Sequence, residues 1–165
     1  MKYWTNMSKF IEDNLYKKIL EVSVVPVVDL IVINSKDEIL LWYRNNEPLK
    51  WIYYIPWWRR HKNETLLESV KRKAKEELWL EIEESKLIFL WIYDDIFENS
   101  MFKWISSHYT TITYVYIVDK LDIQSLNSDS QHSDVKFFNY KDESLHPMIN
   151  IRIKDLIKNK LLPQN

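Results

Sequence analysis

The chain has 165 residues, 46% of them hydrophobic, which is enough for one domain spanning 1–165 with a sizeable core. Its 23 basic and 24 acidic residues leave a net charge of −1, which argues against a general nucleic-acid binder but leaves room for a local anion site. The absence of Cys excludes disulfides, Cys-ligated zinc and thiol catalysis. No apolar run is long enough to span a bilayer, and residues 1–18 hold no apolar segment of the secretory kind, so a cytoplasmic, non-membrane protein is expected.

The composition has one abnormal feature. There is no Gly, where ordinary usage is about 7%. Eight Trp occur instead, at 4, 42, 51, 57, 58, 79, 91 and 104. Read literally, this excludes every Gly-rich phosphate loop.

Residues 8–21 read as a helix capped by Ser8, with Phe10, Ile11, Leu15, Ile19 and Leu20 at helical spacing. Val22 to Asn34 is a β-branched run, and Glu38 to Tyr43 follows it across a short turn as a probable hairpin partner. Trp51 to Ile55 is short and strand-like, and residues 57–63 form a basic loop. Residues 64–78 are the clearest helix, with Leu66, Leu67, Val70, Ala74 and Leu78 as its apolar stripe. Leu87 to Tyr93 and Tyr109 to Val118 read as strands, with a loop from Asp94 to Ser107 between them. A polar loop over 124–134, a strand Val135 to Asn139 and a closing helix over 149–161 complete the chain. Strands interrupted by a central helix give α/β or α+β layers.

The central helix carries the chemistry. Glu64, Glu68, Arg72 and Glu76 lie four apart on one face, and Glu77 sits beside Glu76. Paired carboxylates near a helix end, with adjacent loop carbonyls, suit Mg²⁺, which takes oxygen ligands and keeps waters for a phosphate substrate. The same spacing also describes an ion-pair ladder on a solvated helix face.

With Trp58 read as Gly, residues 58–80 resemble the Nudix box, G-x5-E-x7-R-E-U-x-E-E-x-G-U, where U is bulky and apolar. Glu64, Arg72, Ala74, Glu76, Glu77 and Leu80 agree in register. Lys73 stands at the first Glu after Arg, and Trp79 at the second Gly. The flanks narrow the branch: Asp29 in the first long strand, Leu40-Leu41-Trp42-Tyr43-Arg44, Pro56-Trp57-Trp58-Arg59, Tyr93-Asp94-Asp95, His108-Tyr109 and Gln131-His132. In this order they are similar to GDP-mannose mannosyl hydrolases over roughly residues 24–160. Lys73 departs from the ordinary box as that branch does, whereas Glu76 is a carboxylate the branch often lacks. The branch's His before Tyr-Asp-Asp is absent; Trp91-Ile92 stands there. Trp42, Trp57, Trp58 and Trp79 stand at Gly positions of the resembling family.

The resemblance implies an α/β/α sandwich with a mixed sheet and a loop-helix-loop motif. It implies one divalent ion, Mg²⁺ with Mn²⁺ as the alternative, held by Glu77, the backbone carbonyl of Trp57 and Gln131, with Glu76 as a further candidate ligand. Arg44 and Arg59 would neutralise a diphosphate, for which a guanidinium fork is well shaped. Tyr109 would donate to a phosphate oxygen, and His108 would be a secondary substrate contact. His132 would be the general base towards water, a role suited to an imidazole. Asp29 would stabilise positive charge on the sugar ring. Arg72 and Glu64 would be structural supports.

The implied activity is hydrolysis of a GDP-hexose, GDP-mannose or GDP-glucose, to GDP and free sugar by attack at the anomeric carbon. The partner would be the nucleotide sugar alone, without nucleic acid or membrane, in a homodimer. Two alternatives stay open: an ordinary Nudix pyrophosphohydrolase, and a nucleotide-binding module impaired by Trp57, Trp58 and Trp79. Positive φ is expected to be demanded of Trp57 and Trp58, and Trp79 forgoes the easy left-handed cap that Gly provides.

Overall fold

The computed structural model describes residues 11–121, 123 and 132–164, with the backbone alone for His132 and Ser133. The expected Ser8 cap and the start of the first helix lie outside the described residues, as does most of the 124–134 loop. Helix α1 covers Asp13–Val22. Strands β1 (Val25–Asn34) and β2 (Glu38–Arg44) follow, then two short strands, β3 (Tyr53–Tyr54) and β4 (Trp57–Arg59). Helix α2 spans Leu66–Leu78. Strands β5 (Ile88–Phe97), β6 (Ser107–Val118) and β7 (His132–Asn139) precede helix α3, Pro147–Lys158.

The sheet runs β3-β2-β1-β6-β5, with β4 paired to β1 and β7 paired to β2. It is mixed: β1 and β6 are parallel from Val25↔Tyr109 to Asn34↔Val118, whereas the other pairings are antiparallel. The central strand β1 is covered on both faces, which explains a run that is apolar from Val25 to Ile33 except for Asp29. Val28, Leu30 and Val32 pack with Val70, Ala74 and Leu78 of α2. Val27, Ile31 and Ile33 point the other way and pack with Leu20 of α1 and Ile149, Ile153 and Leu156 of α3. The expected three-layer α/β/α arrangement is therefore present.

Helix α2 begins at a capping box. Thr65 Oγ1 accepts from the Glu68 N–H at 3.2 Å, and Glu68 Oε2 accepts from the Thr65 N–H at 2.8 Å. That cap moves the start from the expected residue 64 to Leu66. The helix stops at Trp79, which takes the left-handed conformation at φ 52°, ψ 27°. Trp79 therefore forms the αL cap despite its Cβ.

The expected loop from Asp94 is a continuation of β5 as far as Phe97, paired down to Phe97↔Ser107. Alternation is hard to see there in sequence because an inward position is Asp95, a buried carboxylate. The expectation for Trp57 and Trp58 is also corrected. Both lie in extended β4, whereas Trp51, Trp79 and Trp104 have positive φ. Among the described residues no helix is long and apolar enough to cross a membrane.

Candidate active site

Strand β4 distributes the site between the two sheet faces. Its register with β1 places Trp57 opposite Asp29, Trp58 opposite Val28 and Arg59 opposite Val27. Directly opposed residues share a face. Trp57 and Arg59 therefore face the α1/α3 side with Asp29, and Trp58 faces α2.

On the α2 side, three carboxylates are met by donors of the chain itself. Arg72 Nε donates to Glu64 Oε1 at 2.5 Å and its Nη2 to Glu64 Oε2 at 2.9 Å, while the His61 N–H donates to Glu64 Oε2 at 3.0 Å. Burial acts to raise the Glu64 carboxyl, but the Arg72 and His61 bonds outweigh it and hold Glu64 at about 2. Arg72 Nη1 also reaches Glu76 Oε2 at 3.2 Å. Glu77 accepts from Lys73 Nζ at 2.6 Å on one oxygen and from the Trp58 indole N–H at 2.6 Å on the other. His108 stands at the start of β6, next to Tyr109 in sequence, with Nε2 3.3 Å from Asp94 Oδ1.

These contacts bear on the divalent ion that the box implies. Among the described residues no group of three or more His, Asp or Glu side chains is arranged to hold a metal. Both oxygens of Glu77 and both of Glu64 are engaged by N–H donors. Gln131 lies outside the described residues. The carboxylate arrangement as it stands does not fit an inner-sphere divalent site.

On the α1/α3 side, the Trp57 indole is central. Tyr109 meets it edge-on, with centroids 4.6 Å apart, and the Arg44 guanidinium lies 5.1 Å from its centroid. Arg44 is buried, and its Nε donates to the Pro48 carbonyl at 3.0 Å. The β2–β7 register shifts between Tyr43 and Arg44, with the extra residue, Ser133, on β7, and Arg44 at the end of β2 reaches Trp57 instead of joining Leu40 and Trp42 in the cluster against α2. Arg59 Nη1 donates to the Arg60 carbonyl at 3.1 Å. Burial, with Tyr109 nearby, pushes the Tyr16 phenol of α1 up, and the Arg59 charge opposes this.

Asp29 lies on the same face but is fully buried. Its Oδ1 accepts from Thr113 Oγ1 at 2.6 Å and its Oδ2 from Arg152 Nε at 3.1 Å. Arg152 Nη2 donates to Asp95 Oδ2 at 2.7 Å, which also accepts from Thr111 Oγ1 at 2.6 Å. Burial pushes the Asp29 carboxyl up to about 6, against the pull of Arg152 and Thr113. Arg152 also lies over the Tyr93 ring at 4.4 Å. Sequence reasoning did not single out Arg152. Its signal was an Arg inside the apolar pattern Ile151-Arg152-Ile153 of the closing helix.

The structure thus gathers Arg44, Trp57, Arg59, Tyr109 and Asp29 on one face and Glu64, Arg72, Glu76 and Glu77 on the other. His132 enters through its backbone, paired with Arg44; its side chain lies outside the described residues.

A family model described as the NUDIX domain matches residues 24–159. The low-salt glycan biosynthesis protein Agl8 of Haloferax volcanii is 33% identical over 130 residues, covering 78% of this chain and 80% of that protein. The crystal structure of a MutT NUDIX hydrolase from Burkholderia pseudomallei has a TM-score of 0.66 at 17% identity, covering 81% of this chain and 98% of that one. The NUDIX domain of Shewanella oneidensis NrtR, crystallised with ADP ribose, has a TM-score of 0.65 at 18% identity, covering 84% and 89%. These two structures speak for the fold. The chain belongs to the Nudix family. Its class is that of the Nudix hydrolases of nucleotide derivatives.

Proposed function

We propose that this chain, acting as one domain over residues 1–165, hydrolyses a GDP-hexose to GDP and the free sugar. The carrying observation is the grouping of Arg44, Arg59 and Tyr109 on one sheet face, with the backbone of His132 paired to Arg44. Two guanidinium groups and a phenol suit a diphosphate. The glycan-related name of the Haloferax relative supports a sugar nucleotide.

In this reading a water, deprotonated by His132, attacks the anomeric carbon. The bond from that carbon to the diphosphate oxygen breaks, GDP departs against Arg44 and Arg59, and the sugar inverts. Tyr109 donates to a phosphate oxygen, and His108 is a peripheral substrate contact. Asp29 acts from beneath: with Asp95 and Arg152 it forms a buried group of net charge −1 when both carboxylates are ionised, which favours positive charge on the sugar. Arg72 and Glu64 brace the helix. Mg²⁺ or Mn²⁺ is the ion the resemblance calls for, with Glu77, Gln131 and the Trp57 carbonyl as its holders and Glu76 beside them. A cytoplasmic homodimer completes the proposal.

Chromatography of the products tests it. GDP plus hexose is expected; GMP plus hexose phosphate contradicts it and selects pyrophosphohydrolysis, which the retained Glu76 would favour.

A second reading, nucleotide binding without turnover, is favoured by one observation: the Trp57 indole already lies against Arg44 and Tyr109. In Trp57→Gly these groups are released, and tighter GDP-mannose binding by calorimetry is expected. Unchanged affinity would mean that the indole does not compete with the nucleotide.

A further inference from the structure

We infer that Lys73 is a resident cation of the Nudix helix, its ammonium standing at Glu77 and Glu76 in place of a divalent ion and setting a weak divalent affinity for this chain.

Lys73 precedes Glu76 by three residues and Glu77 by four, so all three project on adjoining parts of α2. Its Nζ lies 2.6 Å from Glu77 Oε1 and 3.6 Å from Glu76 Oε2. The pair is largely withdrawn from solvent, with side-chain exposures of 22% for Lys73 and 13% for Glu77. Such a pair is screened less than an exposed one. The second oxygen of Glu77 is held by the N–H of Trp58, a buried indole wedged between β1 and α2.

Around the helix the balance is similar. Glu64 is bridged to Arg72, which also reaches Glu76. Lys75 is different: it pairs with Glu81 at 2.5 Å, and both side chains are well exposed. An ion arriving at Glu77 must therefore move the Lys73 ammonium aside and meets its positive charge when it does. Removing that charge releases a carboxylate and lifts a like-charge repulsion together.

The test is Mn²⁺ binding, measured by electron paramagnetic resonance of the free ion on the full chain, without substrate. Lys73→Gln is expected to tighten binding by at least about tenfold, as follows from losing a close, partly shielded charge. Lys75→Gln, which makes the same change of net charge on the same helix, is expected to alter it less than about twofold. The Mn²⁺-induced rise in melting temperature should follow the same order, and Lys73→Met guards against a fault peculiar to the amide. If Lys73→Gln and Lys73→Met bind Mn²⁺ no more tightly than Lys75→Gln, including no binding by any of them, the inference fails. Binding is read without turnover, so this outcome is distinct from failure of the proposed reaction.

Discussion

Glu64 shows how one side chain can be fixed by its neighbours. Three N–H groups, two from Arg72 and one from the His61 backbone, meet its two oxygens. Its carboxyl is held at about 2, below the ordinary value of 4.5. A depressed carboxylate stabilises the fold fully above its unfolded value, and the contribution is lost as pH falls through the folded one. Stability from this group should therefore decline between pH 4.5 and about 2. Melting curves across that range should show a shallower acid decline for Glu64→Gln than for the parent; parallel curves would contradict the assignment. The Arg72 pairing is legible in sequence, because the box fixes the spacing of both partners. The direction of Arg44 is not, because it ends β2 at Trp57, a residue 13 positions on, and the alternation of Leu40 and Trp42 would place it on the other face.

At the scale of the element, five of the Trp residues fall into two contrasting groups. Trp42 and Trp58 are buried in extended strands, where an indole fills space. Trp51, Trp79 and Trp104 are exposed and have φ of 66°, 52° and 66°, where a Cβ meets the following carbonyl. Trp79 is 64% exposed, so its removal forfeits little packing. Trp79→Gly should stabilise the fold by roughly 1 kcal/mol, the relief of one left-handed non-Gly residue at a helix cap. Urea unfolding reads this; destabilisation would show that the indole's contacts outweigh the strain. Helix α2 itself could be placed from sequence because stripe and cap agree. The extension of β5 could not, because Asp95 occupies an inward position that is justified only by Thr111 and by Arg152, 57 residues away.

Across the molecule, Arg152 ties α3 to two strands. From a position 1% exposed it bonds Asp29 of β1 and Asp95 of β5 and donates to the Met148 carbonyl within its own helix. Removing one member of such a group leaves the others buried without their counter-charge. Arg152→Met should cost about 3–5 kcal/mol in urea unfolding, and a loss under about 1 kcal/mol would contradict that role. This tie lies beneath the face that carries Arg44, Arg59 and Tyr109, so the support of the site depends on a contact made near the end of the chain. The three-layer fold was legible because β1 is mainly apolar and α2 is amphipathic. The long-range staple was not, since an Arg between two Ile in a helix does not name its partners.

The proposed chemistry turns on which bond water breaks. Hydrolysis of GDP-mannose in ¹⁸O-labelled water, followed by mass spectrometry of both products, decides this directly. Label in the free mannose and none in GDP is the expected result. Label in a phosphate product would place the attack at phosphorus and contradict cleavage at the anomeric carbon.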